Sequence, residues 1–257
     1  LYFPMCLTHA PLVATPDEPD VTEKYAKHKA MVRYTDKLVG RLVSALDDLG
    51  LRDNTIVIFT TDNGPWNNMR ENLRKRHHGA VAWGSSGPLR EGKGSTYEGG
   101  LRVPCVVRWP GHVPAGRVSD ALFSTLDFLP TFATLAGYEP PADRIIDGSD
   151  QTGLLLGKSE LGTRDDFYYF CQNELHGVRR GKWKLLLPDR KKFYGYVDDK
   201  GSGGIELYDL DSDIGETNNL AQQRPEIVEQ MVNRAKAFRW PDKLHEPRIG
   251  LPRPKKR

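Results

Sequence analysis

An acidic residue and an amide residue follow directly after an apolar run, at the point where the chain turns. The run covers residues 55–61 and ends at Asp62-Asn63-Gly64. Carboxylate and amide oxygens are the ligands that a hard cation such as calcium prefers. The run is typical of a strand in a parallel sheet, and ligands bind at the carboxyl ends of such strands. Asp-Asn-Gly is also good turn chemistry, so these three residues alone favour a simple strand-ending turn.

Two basic side chains are candidates for binding or protonating an anion. Lys93 lies in the glycine-rich block 92–100, and His9 follows the apolar start of the chain. An ammonium group can neutralise an anionic oxygen, and an imidazole can donate a proton near neutral pH. A lysine in such a loop is more often solvated, and a lone histidine is more often structural. Glu98 and Arg102, in and just after the block, are predicted to form a structural ion pair or to support the site without taking part in the chemistry.

A basic segment follows Asp62-Asn63. It runs from Trp66 to Trp83 and contains Arg70, Arg74, Lys75, Arg76, His77 and His78. Its position predicts a wall of a binding site, and its charge favours a polyanionic substrate. The candidate substrate-binding residues are Trp66, Arg76, His77 and His78. A solvated basic loop is the alternative interpretation.

The composition of the 257 residues indicates a folded protein without a membrane span. Hydrophobic residues make up 38% and charged residues 28%, and no apolar run approaches the roughly 20 residues of a spanning helix. The net charge is +3, and the proline-rich tail from Pro241 holds six basic and two acidic residues. That tail therefore carries +4 and the rest −1. Without aromatic residues interleaved on a basic face, this distribution argues against nucleic-acid binding.

One long helix precedes the apolar run. Apolar residues recur at three- and four-residue intervals over 20–49, which predicts a helix with one buried face. Asp20 and Glu23 have the spacing of a capping box, and Gly50 is placed to end the helix in the left-handed conformation.

The remaining elements predict an α/β fold. A strand at 103–109 and a helix at 125–136 continue the first unit. Later come four short strands, with a hairpin turn at Arg180-Gly181, and a last helix over 225–238. We therefore predict a mostly parallel sheet sandwiched by helices, followed by a small α+β subdomain with an antiparallel sheet. The predicted units are 1–160, 161–240 and the basic tail 241–257.

Several sequence blocks occur in a specific order. They are Thr8-His9-Ala10-Pro11, Phe59-Thr60-Thr61-Asp62-Asn63-Gly64, the block from Lys93 to Pro104, Asp127-Phe128-Leu129-Pro130-Thr131, and Glu206-Leu207-Tyr208-Asp209-Leu210 followed by Gly215-Glu216. Each block is weak alone. Together they resemble the sulfatases, the formylglycine-dependent sulfate-ester hydrolases of the alkaline phosphatase superfamily, over nearly the whole chain.

The resemblance implies roles for four residues. Asp62 and Asn63 would supply half of a calcium site, and the other half, a pair of aspartates, would lie upstream of Leu1. Lys93 would bind a sulfate oxygen. His9 would donate to the sulfate or to the leaving group. These implications come from the family and not from the spacing of the residues.

The nucleophile of the family has no match in the sequence. Sulfatases use a formylglycine, made from Cys or Ser in a C/S-x-P-S/A-R context, whose hydrated aldehyde attacks sulfur. The contexts of Cys6, Cys105 and Cys171 lack the proline and arginine, and these cysteines also lack the spacing of a metal motif or a disulfide framework. Ser86-Gly87-Pro88-Leu89-Arg90 fits S-x-P-x-R, but it directly precedes the Lys93 block, so we predict that it is unmodified.

The chain is therefore interpreted as the C-terminal portion of a sulfatase, with its missing N-terminal part as a partner. The substrate would be a sulfated small molecule or a sulfated glycan. The family implies a periplasmic, secreted or lysosomal location. A phosphonate or phosphate monoester hydrolase of the same superfamily is one alternative, and an inactive fragment acting as a binding module is another.

Overall fold

The computed structural model describes residues 1–67, 84–171, 174–188, 190 and 203–238. Its helices are α1 (Lys24–Asp48), α2 (Glu98–Leu101), α3 (Phe128–Leu135), α4 (Thr152–Leu155) and α5 (Pro225–Ala237). Its strands are β1 (Val57–Thr60), β2 (Cys105–Arg108), β3 (Asp166–Cys171), β4 (Glu174–Arg180), β5 (Trp183–Leu186) and β6 (Glu206–Asp209). None of the described helices combines the length and apolar character needed to cross a membrane.

The predicted long helix forms, but it begins later than the capping-box pattern indicates. Glu23 is the N-cap, and its carboxylate accepts hydrogen bonds from the backbone nitrogens of Tyr25 and Ala26. The prediction that Asp20 caps the helix is therefore wrong, because Glu23 already satisfies the free amides of the first turn. Gly50, at φ +68°, confirms the predicted left-handed stop.

Much of the apolar face of α1 is uncovered within the described part of the chain. Val32 is 48% exposed and Leu42 is 43% exposed, whereas Ala30 and Met31 are buried. The prediction of one buried face is thus met only over part of the helix. Periodicity shows that a helix has an apolar face, and a packing partner is needed to bury it.

β1 and β2 form a two-stranded antiparallel ladder with Phe59 opposite Val106. Val106 is 62% exposed, so the described residues do not cover this pair on both faces. The apolar character of 55–61 predicted a strand in a mostly parallel sheet. In the described residues this strand, β1, pairs with β2 in the antiparallel direction. An apolar run predicts a strand, but strand direction depends on its neighbour.

Strands β3 to β6 form a four-stranded antiparallel sheet in the order β3-β4-β5-β6. The hairpin predicted at Arg180-Gly181 is confirmed, with Arg180 opposite Trp183. One face of this sheet packs on α5 through a core of Val178, Leu185, Leu207, Met231 and Ala235. The opposite face carries Lys184 directly across from Tyr208. This second face also carries Leu186, and Leu186 and Tyr208 pack with Tyr97, which lies shortly after Lys93.

Candidate active site

The turn after β1 and the glycine-rich block pack against each other through their backbones. The backbone nitrogen of Gly64 donates to the oxygen of Gly100 at 2.9 Å, and the nitrogen of Lys93 donates to the oxygen of Pro65 at 2.8 Å. Asn67 adds a side-chain hydrogen bond to the oxygen of Glu91 at 2.9 Å. The structure therefore brings the segment of Asp62 and Asn63 beside the segment of Lys93.

This close approach explains the glycines at the contact. A Cβ at Gly64 would lie 1.8 Å from the oxygen of Gly99, and one at Gly92 would lie 2.3 Å from the oxygen of Pro65. Both obstacles are backbone atoms, which cannot rotate away. Glycine is required here because it lets two backbones approach closely.

We expect Gly64→Ala to lower the free energy of unfolding by about 3 kcal/mol, because the new methyl group would push the two segments apart. Gly40→Ala is the matched control. Gly40 lies inside α1, and a Cβ added there would have no atom within 4 Å, so this change should add up to about 1 kcal/mol through helix propensity. Urea unfolding measures both changes. Equal stability of the two variants would contradict the packing argument.

Asp62 and Asn63 lie together at the carboxyl end of β1. The Asp62 side chain is exposed. The Nδ2 of Asn63 donates to the oxygen of Gly64 at 2.8 Å, which directs its Oδ1 away from that carbonyl. A carboxylate and an amide oxygen fit a calcium ion as a partial ligand set. Among the described residues, no three His, Cys, Asp or Glu side chains are grouped so that they could hold a metal ion.

Lys93 is half-buried in a compact loop. The nitrogen of Ser95 donates to the oxygen of Gly92 at 3.1 Å, and the nitrogen of Tyr97 donates to the Oγ of Ser95 at 2.9 Å. The loop leads directly into the short helix α2. Its backbone is thus fixed, and a fixed loop can hold an ammonium group in position for an anion.

His9 lies in an exposed turn near the start of the chain. Its backbone nitrogen donates to the oxygen of Cys6 at 2.9 Å, and its Nδ1 lies 2.7 Å from the oxygen of Ala10. These hydrogen bonds are local and do not link His9 to Asp62 or Lys93. The predicted role of His9 therefore stays a prediction.

Of the predicted substrate contacts, only Trp66 belongs to the described residues. It is half-buried and lies between Pro65, which accepts from the backbone nitrogen of Lys93, and Asn67, which donates to the oxygen of Glu91. Arg76, His77 and His78 lie outside the described residues. Ser86 has a structural environment, because its hydroxyl group accepts from the Nδ2 of Asn67 at 2.7 Å and donates to the oxygen of Leu89 at 2.8 Å.

A buried charged cluster beside the Lys93 loop was only partly predicted. Glu98 does pair with Arg102, at 3.9 Å, but the ammonium group of Lys184 lies closer, at 2.9 Å. Lys184 also lies 2.8 Å from a carboxylate oxygen of Glu216. One feature of the sequence could have indicated these pairs, namely the lysine in the apolar run Lys184-Leu185-Leu186-Leu187. A charged side chain in a buried strand requires a partner of opposite charge.

The pKa values of the two glutamates in this cluster, Glu98 and Glu216, shift in opposite directions. Burial acts to raise the pKa of Glu98, but Lys184 and Arg179 outweigh it, so that pKa lies below its usual value. Burial dominates at Glu216 and raises its pKa despite Lys184. Burial acts to lower the pKa of Lys184, but Tyr169, Glu98 and Glu216 together raise it. The ammonium group of Lys184 is therefore charged at neutral pH.

Comparisons with known proteins agree on one family. The Sulfatase family model matches residues 3–138, and the model described as N-sulphoglucosamine sulphohydrolase, C-terminal, matches residues 92–240. N-acetylgalactosamine-6-sulfatase of Canis lupus familiaris is 41% identical over 185 residues, which are 72% of this chain and 33% of that protein.

Solved structures show the same likeness. One, from work on the metabolism of multiple glycosaminoglycans by Bacteroides thetaiotaomicron, matches with a TM-score of 0.74 and 30% identity, over 90% of this chain and 48% of that one. Another, Ps i-CgsB in complex with k-i-k-neocarrahexaose, matches with a TM-score of 0.67 and 30% identity, over 90% of this chain and 47% of that one. The likeness confirms the predicted alkaline-phosphatase-like α/β fold.

The chain spans about a third of the length of the curated relative and about half of each solved chain. Within that span the two family models together cover the chain from residue 3 to residue 240. The predicted block order, the matched fold and the sequence identity all point to the same assignment. The chain belongs to the sulfatase family.

Proposed function

We propose that this chain is part of a hydrolase of sulfate monoesters, a sulfuric ester hydrolase that releases an alcohol and inorganic sulfate. One observation carries the proposal. In a chain of the sulfatase family, the backbone contacts of Gly64 and Pro65 place the Asp62-Asn63 turn beside the Lys93 loop. A cation-binding edge next to a fixed ammonium group is suited to an anionic ester.

The residues present suit distinct tasks. Asp62 and Asn63 would hold part of the coordination of a calcium ion, which, when bound, supplies positive charge at the sulfate. Lys93 would neutralise charge that develops on the sulfate oxygens as the ester bond breaks. His9 would donate a proton to the leaving oxygen, because a histidine can serve as a general acid near neutral pH.

The formylglycine nucleophile and the remaining calcium ligands belong, in this proposal, to an upstream half of the same protein. The uncovered apolar surface supports such a partner. Val32 and Leu42 on α1 and Val106 on β2 are all more than two-fifths exposed, so these apolar side chains are available to pack against another segment.

The proposal is tested by producing the chain together with an upstream half and assaying a matched pair of aryl sulfate and aryl phosphate. Peptide mass spectrometry should find an aldehyde on a Cys or Ser in a C/S-x-P-S/A-R context, and the aryl sulfate should be cleaved faster. Faster cleavage of the phosphate, which carries about one more negative charge near pH 7, would replace the proposal with a phosphatase. Absence of hydrolysis and of calcium binding would favour a binding module.

A sulfated glycan is the proposed substrate class. The relatives supply support, since one is named N-acetylgalactosamine-6-sulfatase, one solved structure comes from work on glycosaminoglycans, and another is a complex with k-i-k-neocarrahexaose. The basic composition of 66–83 gives independent support, because it suits a polyanion.

We expect the double change Arg76→Ala and His78→Ala to raise KM for a sulfated oligosaccharide about tenfold or more, because charged hydrogen bonds to the remote sugars would be lost. KM for a small aryl sulfate should stay within about twofold. Arg41→Ala is the control, since Arg41 lies exposed on α1. Steady-state kinetics on both substrates measure these KM values. Equal effects on the two KM values would show that the segment 66–83 does not bind the remote sugars.

A further inference from the structure

Glu216 contacts both ends of the segment that carries Lys93. Its backbone oxygen accepts a hydrogen bond from the Nη1 of Arg90 at 2.7 Å. Its carboxylate accepts a hydrogen bond from the backbone nitrogen of Glu98 at 2.6 Å. Arg90 and Glu98 flank the loop 91–97, so one residue of the turn after β6 holds the loop at its entrance and at its exit.

The backbone conformation of Glu216 is unusual for its residue type. Its φ is +51°, in the left-handed region where glycine is favoured and a side chain is strained. Glycine would relieve that strain but would remove the carboxylate that binds Glu98. Strained residues persist where surrounding contacts hold them, and they cluster at functional sites.

Lys184 connects this turn to the antiparallel sheet. It lies on β5 with its side chain fully buried, 2.9 Å from Glu98 and 2.8 Å from Glu216. Glu98 is also 3.6 Å from Arg179 on β4. Charged groups buried in this way add little net stability compared with apolar residues, and their best-attested effect is to fix one arrangement.

The entrance of the loop is held on the same face of the sheet. The Nη1 of Arg90 also donates to the hydroxyl group of Tyr208 at 2.9 Å, and the guanidinium group lies 4.0 Å from the centre of the Tyr97 ring. Tyr97 in turn donates its hydroxyl proton to Glu206 at 2.8 Å. The four-stranded sheet thus supports the Lys93 loop.

We propose that Glu216 is a positioning residue for Lys93, and that it transmits the geometry of the C-terminal sheet to the site without touching the substrate. This inference rests on the proposed function of Lys93 as an anion-binding group. Glu216 holds Arg90 and Glu98 at fixed places on the sheet, and Lys184 holds the Glu216 carboxylate. The ammonium group of Lys93 is then preorganised, and a misplacement of about 1 Å can cost about a hundredfold in rate.

Hydrogen exchange tests the inference without any need for activity. In the protein that carries this chain with its upstream half, Glu216→Gln should speed exchange of the Lys93 and Gly99 amides about tenfold. The change removes the negative charge that pairs with Lys184 and weakens the acceptor of the Glu98 amide, while the backbone bond to Arg90 stays. Amides of the β4–β5 ladder should keep their rates. Asp166→Asn is the matched control, since it removes an ion pair with Arg234 between the sheet and α5. Faster exchange throughout the sheet, or the same pattern in Asp166→Asn, would overturn the inference.

Binding and kinetics supply a second readout. Glu216→Gln should weaken the affinity of inorganic sulfate about tenfold and lower kcat for an aryl sulfate about ten- to a hundredfold. In a Lys93→Ala background the same change should have almost no further effect, because Glu216 acts through Lys93. Additive losses in the double variant would overturn the positioning role.

Two further measurements separate a failure of this inference from misfolding of a variant and from a failure of the proposed function. If Glu216→Gln does not fold, Arg90→Lys serves instead, since it retains the charge and loses the bridge between Glu216 and Tyr208. Unchanged exchange of the Lys93 amide in that variant would count against the inference. A wild-type protein that binds sulfate but cleaves no sulfate ester would refute the proposed function, while the exchange pattern would still decide the role of Glu216.

Discussion

Lys93→Ala is expected to lower kcat/KM for an aryl sulfate about 10²- to 10³-fold in the protein that carries this chain with its upstream half. Removing one preorganised donor from a developing anion has an effect of this size. The loop that presents Lys93 is fixed by its backbone hydrogen bonds to Pro65 and within 92–97, so the ammonium group is held in position before the anion binds. Steady-state kinetics measure the effect.

Two variants sharpen this prediction. Lys93→Arg keeps the positive charge but replaces a compact ammonium group with a larger planar fork, so it should recover only part of the activity. Lys182→Ala is the control, because Lys182 is partly exposed in the β4–β5 turn and pairs with Asp209 at 2.7 Å. Its activity should stay within about twofold of wild type. A Lys93→Ala enzyme that keeps a third or more of the activity would show that Lys93 does not act on the sulfate.

Lys184→Met is expected to lower the free energy of unfolding by about 3–5 kcal/mol, because it leaves two buried carboxylates, Glu98 and Glu216, without their shared cation. Methionine is similar in length, so the loss would come from charge more than from a cavity. Urea unfolding followed by circular dichroism measures it. Lys182→Met is the control, since its ion pair is partly exposed and worth at most about 1 kcal/mol.

The stability lost in Lys184→Met should also depend on pH. In the wild type, the lowered pKa of Glu98 contributes stability that is present above the unfolded value and is lost as the pH falls through the folded value. Without Lys184, burial would raise the pKa of Glu98 and raise that of Glu216 further. The folded variant would then bind more protons than the unfolded chain, so its stability would fall as pH rises. The destabilisation should be larger at pH 7.5 than at pH 5.5, and equal losses at both would contradict this account.

Local sequence signals predicted most of the individual elements. The periodicity of 20–49 and of 225–238 predicted α1 and α5, and Arg180-Gly181 predicted the β4–β5 hairpin. These signals work because helix periodicity, turn chemistry and proline placement depend on residues close together in the chain. The order of short motifs also predicted the family, because that order can be read from the sequence without any knowledge of contacts.

Partners that lie far apart in the chain were not predictable in the same way. Lys184 pairs with Glu98, 86 positions away, and Arg90 reaches the hydroxyl group of Tyr208, 118 positions away. The sequence showed Glu98 beside Arg102 and therefore predicted the nearer, weaker ion pair. The antiparallel direction of β1 and β2 was missed for a related reason, because strand direction is a property of a pair.

The sequence by itself determined where most of the helices, strands and turns form, which residue types stand at Asp62, Asn63 and Lys93, and to which family the chain belongs. Only the tertiary structure decided that the turn after β1 lies against the Lys93 loop, and that Glu216 and Lys184 hold that loop on the C-terminal sheet. The physical reason is the range of the interactions. Local propensities act over a few residues, whereas backbone contact between two glycine-containing segments and the pairing of buried charges exist only once distant segments have packed together.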